Sequence, residues 1–335
     1  MTSKLLVRML TLLCAGLAFA GNSTVTTLSG PRLGLIFDRA AGDLRAVTGI
    51  PGAAITSDPL SLGFLITQAA ISPAQDSALV VKVRGSSLML VRPNGDGWAA
   101  ATLEGVRSAP DSLVYSQGGR SAALYYRAGR VQILTGLPSA PVIAGEIDLS
   151  GLPTPLTALA VDDSGSFVLM ALGQVGAVSL FRASVGSAPS LLGSFPSVSS
   201  VRVFDAGRRA LVADSLAATV YEISDPAGAA AKQVIASAAD GIEGLVDADT
   251  DSAGMRVFAA LANGTVLIFD RSGGPAEAID CGCKPAGLFR LAGAAAFRLT
   301  EPGTGPFQVL DASNTLRMVA VPPPAHAAAL PEGRR

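Results

Sequence analysis

The chain has 335 residues, 49% hydrophobic and 15% charged, with 25 basic against 26 acidic residues and one histidine. So high an apolar fraction excludes a mainly disordered chain, and the balanced charge, with no clustered Lys/Arg patch, leaves nucleic-acid or anionic-membrane binding without an electrostatic basis. A single histidine removes most acid–base, metal and triad chemistry, while 37 glycines and 21 prolines favour many turns over long helices.

Residues 1–20 read as an export signal. A basic start (Lys4, Arg8) leads into the apolar stretch Met9 to Phe19, and Ala18-Phe19-Ala20 is a small-x-small site that places cleavage between Ala20 and Gly21. The apolar run is short of the ~20 residues a membrane span needs. Cys14 follows Leu12-Leu13, where a lipoprotein signal would carry small residues, so it leaves with the signal. The mature protein is therefore expected in the periplasm or outside the cell. No later segment is long and apolar enough to span a membrane. The 5% aromatic content and the terminal Arg334-Arg335 do not fit an outer-membrane barrel.

A near-repeat dominates the rest of the chain. LIFDRAAGDLRAV at 35–47 and LIFDRSGGPAEAI at 267–279 share seven of 13 positions, and each reads as strand, Gly-containing turn, strand. The same pattern starts at Leu88, Val131, Val178, Tyr221 and Gln308. Aligned on Phe37, Leu90, Ile133, Leu180, Ile223, Phe269 and Leu310, taken as third-strand residues, the copies are spaced by 53, 43, 47, 43, 46 and 41 residues. Before six of the seven lies a second hairpin, at 69–83, 113–127, 158–172, 201–215, 244–261 and 287–300. A period near 45 residues with four strands per unit predicts an all-β fold, a single propeller over 21–321. Seven blades of four antiparallel strands fit best; six, with the first hairpin docked outside, are the alternative. The first unit has little chain for its inner strands; Ser23 to Leu28 is expected to supply one of them, or the C-terminus to complete that blade. Alanine and valine suit the crowded channel. The Ala-rich stretch 227–239 fits a blade edge and loop better than a helix, and the Pro/Ala-rich tail 322–335 is expected to be disordered.

The segment LAVDDSGSFVLMA (159–171) resembles the strand–Asp/Gly turn–strand hallmark of the YVTN/WD40-like propeller repeats of many exported bacterial proteins. The repeats are degenerate, and the Gly-His and Trp-Asp signatures of WD40 units are absent. The resemblance implies the fold and leaves the individual function open.

Candidate chemistry is sparse. His326 lies in the tail, without the packing that a Ser-His-Asp or Cys-His arrangement needs. Its isolation also weighs against the histidine/glutamate/arginine cluster that sites of seven-bladed lactonases resemble. Asp247, Asp249 and Asp251 have a spacing that lets carboxylates converge on calcium in a tight loop. An EF-hand would add glycine and glutamate where Ser252 and Phe258 stand, and a propeller calcium loop would add an acid where Met255 stands. The competing reading is a solvated turn, and no cofactor is assigned. Cys281 and Cys283 leave open a local disulfide or two buried or partner-linked thiols. Asn263-Gly264-Thr265 matches the glycosylation sequon, as does Asn22-Ser23-Thr24, but Asn-Gly also suits a hairpin turn. Trp98 alone makes no aromatic girdle for a quinone.

The expectation is an exported, monomeric, non-enzymatic propeller that binds a protein or glycan partner. The alternative is a lactonase- or glycosidase-like hydrolase with carboxylates at the channel mouth. Acids or Arg/Asp pairs converging there favour the hydrolase; a lining of alanine, serine and valine speaks against it. Asp58, Asp111, Asp240 and Glu243 lie near inter-blade loops as unsorted candidates.

Overall fold

The computed structural model describes residues 31–95 and 97–324. These residues form seven antiparallel sheets, six of four strands and one of three, each ordered as the chain runs. The fold is all-β, and the only helices among the described residues are two single 3-10 turns, Asp205–Gly207 and Ala238–Asp240. Numbered along the chain, blades I to VII span 32–59, 66–102, 112–148, 156–195, 198–236, 245–280 and 289–321. No helix among the described residues is long and apolar enough to cross a membrane.

Successive strands pair through short turns because runs of apolar residues end at Asp, Ser and Gly. Each such turn satisfies its own backbone. In blade IV, Asp162 accepts from the amides of Ser164 and Phe167 at 3.1 and 2.9 Å, closing the turn that leads into the second strand. Asn263-Gly264 is such a hairpin turn, with Gly264 at φ +98° and the Asn263 side chain accepting from the Thr265 amide. The stretch 227–239 holds the outer strand Ala231–Ala236 and the 3-10 turn after it, as its composition suggested.

The seven first hairpins share one geometry. Phe37 pairs with Leu44, Ile71 with Ala78, Tyr115 with Ala122, Val161 with Val168, Val203 with Ala210, Thr250 with Val257 and Arg290 with Phe297, seven positions apart in every case. Phe37 therefore lies on an inner strand and is not the counterpart of Leu90 or Phe269. The expectation that Ser23 to Leu28 supplies an inner strand of the first unit is corrected: Arg32–Asp38 and Asp43–Ile50 already fill those places. The third strand, Ala53–Pro59, follows a Pro51-Gly52 turn that the repeat alignment passes over. What blade I lacks, among the described residues, is an outer strand. Residues 1–30 and 325–335 lie outside the description, and with them the cleavage site Ala20/Gly21, His326 and most of the tail.

Seven clusters of buried apolar side chains lie between the seven blades, one at each junction. The ring closes through the cluster that joins blade VII to blade I, where Leu33, Ile36 and Val47 meet Leu291, Phe307 and Val309. Thr56 Oγ1 also donates to the Pro322 carbonyl, 266 residues away. Closure leaves no open ring end, which is how such arrays protect their sheets. Fully burying a Leu, Val or Phe contributes about 1.5–3 kcal/mol, so the blades are held mainly by this face-to-face packing.

Candidate functional site

The inner strands surround a central cavity of about 320 Å³. Its wall has two characters. In blades II to IV the residue one before the first member of the hairpin pair is Ala70, Val114 and Ala160, but in blades V to VII it is Arg202, Asp249 and Phe289. One side of the channel is thus apolar, as alanine and valine on the inner strands suggested, and the other carries charge.

Strand alternation builds the charged side. Asp247 and Asp249 point the same way from the inner strand of blade VI, Leu245–Thr250. Arg202 Nη2 donates to Asp247 at 2.9 and 3.1 Å, and its Nε stands 3.7 Å from Asp249 Oδ2. From the other neighbour, Arg290 Nη2 donates to Asp249 Oδ1 at 2.8 Å and to the Thr250 carbonyl at 2.5 Å. Asp247 also accepts from the Leu288 amide of the blade VII approach at 2.9 Å. The four side chains form an alternating ladder across three blades. Burial works against charge on Arg202, yet Asp247 and Asp249 hold its guanidinium above the ordinary value.

This places the three aspartates of the D-x-D-x-D run. Asp247 and Asp249 are buried strand residues and not members of a solvated turn. Asp251 alone occupies the turn, where it accepts from the Met255 amide at 2.8 Å and meets Arg256 at 3.3 Å. Guanidinium groups face these carboxylates where calcium would require six or more oxygens. Among the described residues, no three His, Cys, Asp or Glu side chains come together as a metal-holding group.

The first turns converge beneath the cavity. Gln117 Nε2 of blade III donates across the axis to Thr250 Oγ1 of blade VI at 3.0 Å. Gln75 of blade II accepts from the Leu35 amide at 2.7 Å and donates to the Arg290 carbonyl at 2.6 Å, tying blades I, II and VII together. Gly34 permits this approach: a Cβ there would stand 2.8 Å from Gln75 Oε1. Beyond these bridges a second, shallower cavity of about 400 Å³ is framed by the turns, with Gly118, Asp163, Asp205 and Ser252 on its rim. At the other end, Arg298 stacks over the Phe289 ring at 4.0 Å and pairs with Glu301 at 3.2 Å. Burial pulls the Arg298 guanidinium below its ordinary value against the attraction of Glu301. Desolvation pushes the Tyr115 phenol, on the apolar side, well above its ordinary value.

The remaining candidates sit elsewhere. Cys281 and Cys283 are joined by a disulfide just after the outer strand of blade VI. Asp111 is occupied by Arg127, whose amide donates to it at 2.6 Å, and Asp240 caps the second 3-10 turn with Ser237. Neither these two nor Asp58 and Glu243 line the central cavity. Trp98 lies under the Arg32 guanidinium at 4.9 Å, at the junction of blades I and II. The Arg–Asp ladder escapes sequence reasoning as a group, because only the register of the inner strands shows that residues 40 or more positions apart are neighbours.

The fold and its channel define a seven-bladed β-propeller. No family model matches the sequence, and no curated protein matches it. Among solved structures the chain is similar to a functionally unknown protein from Desulfotomaculum acetoxidans DSM 771, at 13% identity and a TM-score of 0.59, over 87% of this chain and 99% of that one. It also aligns with the β-propeller domain of Myceliophteria thermophila Cps50 (Swd1), at 13% identity and a TM-score of 0.46, over 87% of this chain and 96% of that domain. At such identity the first likeness shows the fold alone.

Proposed function

We propose that this chain is an exported, non-enzymatic β-propeller that binds a protein or glycan partner, with its signal removed between Ala20 and Gly21. The observation that carries the reading is the state of the channel acids. Asp249, a carboxylate of the cavity wall, and Asp247 two residues before it are held by Arg202 and Arg290 and tie adjacent blades together. The hydrolase reading asks for a pair of carboxylates flanking the scissile bond; here each of the two is committed to an arginine of a neighbouring blade, Asp247 to Arg202 and Asp249 to Arg290. Arg–Asp pairs in the channel are nevertheless what the hydrolase reading anticipates, so the test must address it directly.

The experiment is a pull-down from envelope extract with the mature chain, beside a screen of lactone and glycoside hydrolysis. Specific capture of a partner, with no turnover, is the expected result. Turnover that Asp249→Asn abolishes would replace the binding reading with the hydrolase. N-terminal sequencing of the protein recovered outside the cytoplasm should begin at Gly21; an intact Met1 there overturns the cleaved signal.

A further inference from the structure

We propose that the channel cavity binds a small organic acid, a single carboxylate on an apolar body, with the free edge of Arg298 receiving the carboxylate and Arg39 supplying the charge that balances it. The inference goes beyond the binding reading above, since a ligand within the channel and a macromolecule on the outside are separate occupants. Its basis is the balance of charge on the cavity wall.

Arg39, Arg202, Arg290 and Arg298 line the cavity, against Asp249 and Glu301. Asp247, behind the wall, engages Arg202, while Asp249 engages Arg290 and Glu301 engages Arg298. Three guanidinium groups are thereby balanced, and among the described residues no carboxylate of the wall is left for Arg39. Within its own turn, Asp38 is taken by Arg45, and Asp43 does not line the cavity. The wall therefore carries one positive charge without a partner, which a single negative charge neutralises. In a confined, partly apolar space such a charge is screened less than at an open surface, so its attraction for an anion is stronger there.

Arg298 provides the receiving group. Its side chain is 8% exposed, and its contact with the Phe289 ring at 4.0 Å holds the guanidinium in place. Only Nη1 is used, donating to the Thr300 carbonyl at 2.6 Å and to Glu301 at 3.2 Å. Nε and Nη2 form an edge suited to bidentate pairing with a carboxylate. Neither has an acceptor among the described residues, and neither is sealed from solvent. Burial pulls this guanidinium below its ordinary value, a penalty that an incoming anion relieves. Glu301, with its side chain half exposed, is free to turn outward as the ligand enters. Leu35, Phe37, Val114 and Ala160 supply apolar surface for the rest of the ligand. At about 30 Å³ per water, a cavity of about 320 Å³ has room for a body of about ten non-hydrogen atoms.

Saturation-transfer NMR on the mature chain tests this, with phenylacetate and octanoate at millimolar concentration beside their neutral amides, phenylacetamide and octanamide. At least one carboxylate should receive saturation and bind about tenfold or more tightly than its amide. Arg39→Glu, a change in an exposed turn, should weaken that binding by about tenfold or more and leave the unfolding temperature unchanged. Arg298→Met, which keeps an apolar contact with Phe289 and removes the charge, should abolish it. Absence of transfer to both carboxylates, amides that bind as tightly, or binding undiminished in Arg39→Glu overturns the proposal. If Arg298→Met fails to fold, Arg39→Glu decides alone. Should both acids fail while envelope capture still yields a partner, only the channel ligand falls and the binding reading stands.

Discussion

Truncating Asp247 to alanine isolates what the ladder contributes to the ring. The carboxylate accepts from two buried backbone amides, Ala248 at 2.8 Å and Leu288 at 2.9 Å, the second reaching the next blade. Hydrogen bonds to a charged acceptor contribute about 1.5 kcal/mol or more each, so losing both costs about 3 kcal/mol. The ion pair adds less, because the Arg202 side chain is 35% exposed against 10% for Asp247; about 1 kcal/mol is a fair share after screening. Asp247→Ala should therefore cost about 4 kcal/mol, and Asp247→Asn, which keeps one accepting oxygen, about half of that. A double-mutant cycle with Arg202→Leu should return a coupling of about 1 kcal/mol. The assay is equilibrium urea unfolding of the mature chain, with the slope checked for constancy across variants. An alanine variant within about 1 kcal/mol of the parent, or a coupling indistinguishable from zero, refutes the view that these groups clamp blades V to VII.

Three further outcomes concern the packing, the turns and the buried phenols. Phe258→Ala should cost about 3–5 kcal/mol in the same unfolding assay, because the ring is fully buried and meets Phe297 at 5.0 Å between centroids across the junction of blades VI and VII. Asp162→Ala should cost about 2–3 kcal/mol and speed hydrogen exchange at the Phe167 amide, whose acceptor it removes. Desolvation raises the phenols of Tyr115 and Tyr126, so the folded chain keeps protons that the unfolded chain, titrating near pH 10, releases. Their contribution is then complete below about pH 10 and falls above it by about 1.4 kcal/mol per pH unit for each ring. Urea midpoints measured from pH 9 to 11 should fall less steeply in Tyr115→Phe than in the parent.

Much of this architecture is visible in the residues themselves. The stretches 113–127 and 158–172 announce hairpins because apolar runs flank Gln-Gly-Gly and Asp-Asp-Ser-Gly turns, and the structure pairs them accordingly. The first unit misleads for a physical reason. Inner and third strands obey the same rule, an apolar run stopped by a turn-forming Asp, so Phe37-Asp38 and Phe269-Asp270 look alike although they occupy different places in their blades. Two signals point to the right register: the opening spacing of 53 residues, longer than all the others, and the Pro51-Gly52 turn with another strand behind it. The charged side of the channel is hidden differently. Arg202, Asp249 and Arg290 acquire meaning as neighbours only once the turns are aligned, when one column reads Ala, Val, Ala, Arg, Asp, Phe. Asp247, Asp249 and Asp251 are conspicuous as a motif, but the arginines that engage Asp247 and Asp249 lie far away in sequence.

The meeting of blades I and VII also governs how the ring is made. Blade I is complete in its described strands at Pro59, whereas the last strand of blade VII ends at Val321. At synthesis rates of about 5–20 residues per second, roughly fifteen to fifty seconds separate the two. Throughout that interval the side of blade I that will receive Leu291, Phe307 and Val309 presents Leu33, Ile36 and Val47 to whatever is nearby. The first sheet formed is thus the last to be covered, and a chain released or stalled before Val321 carries an apolar surface already shaped to accept a blade. Another copy's unfinished ring offers the same surface, so truncated chains of this protein should aggregate through blade I first.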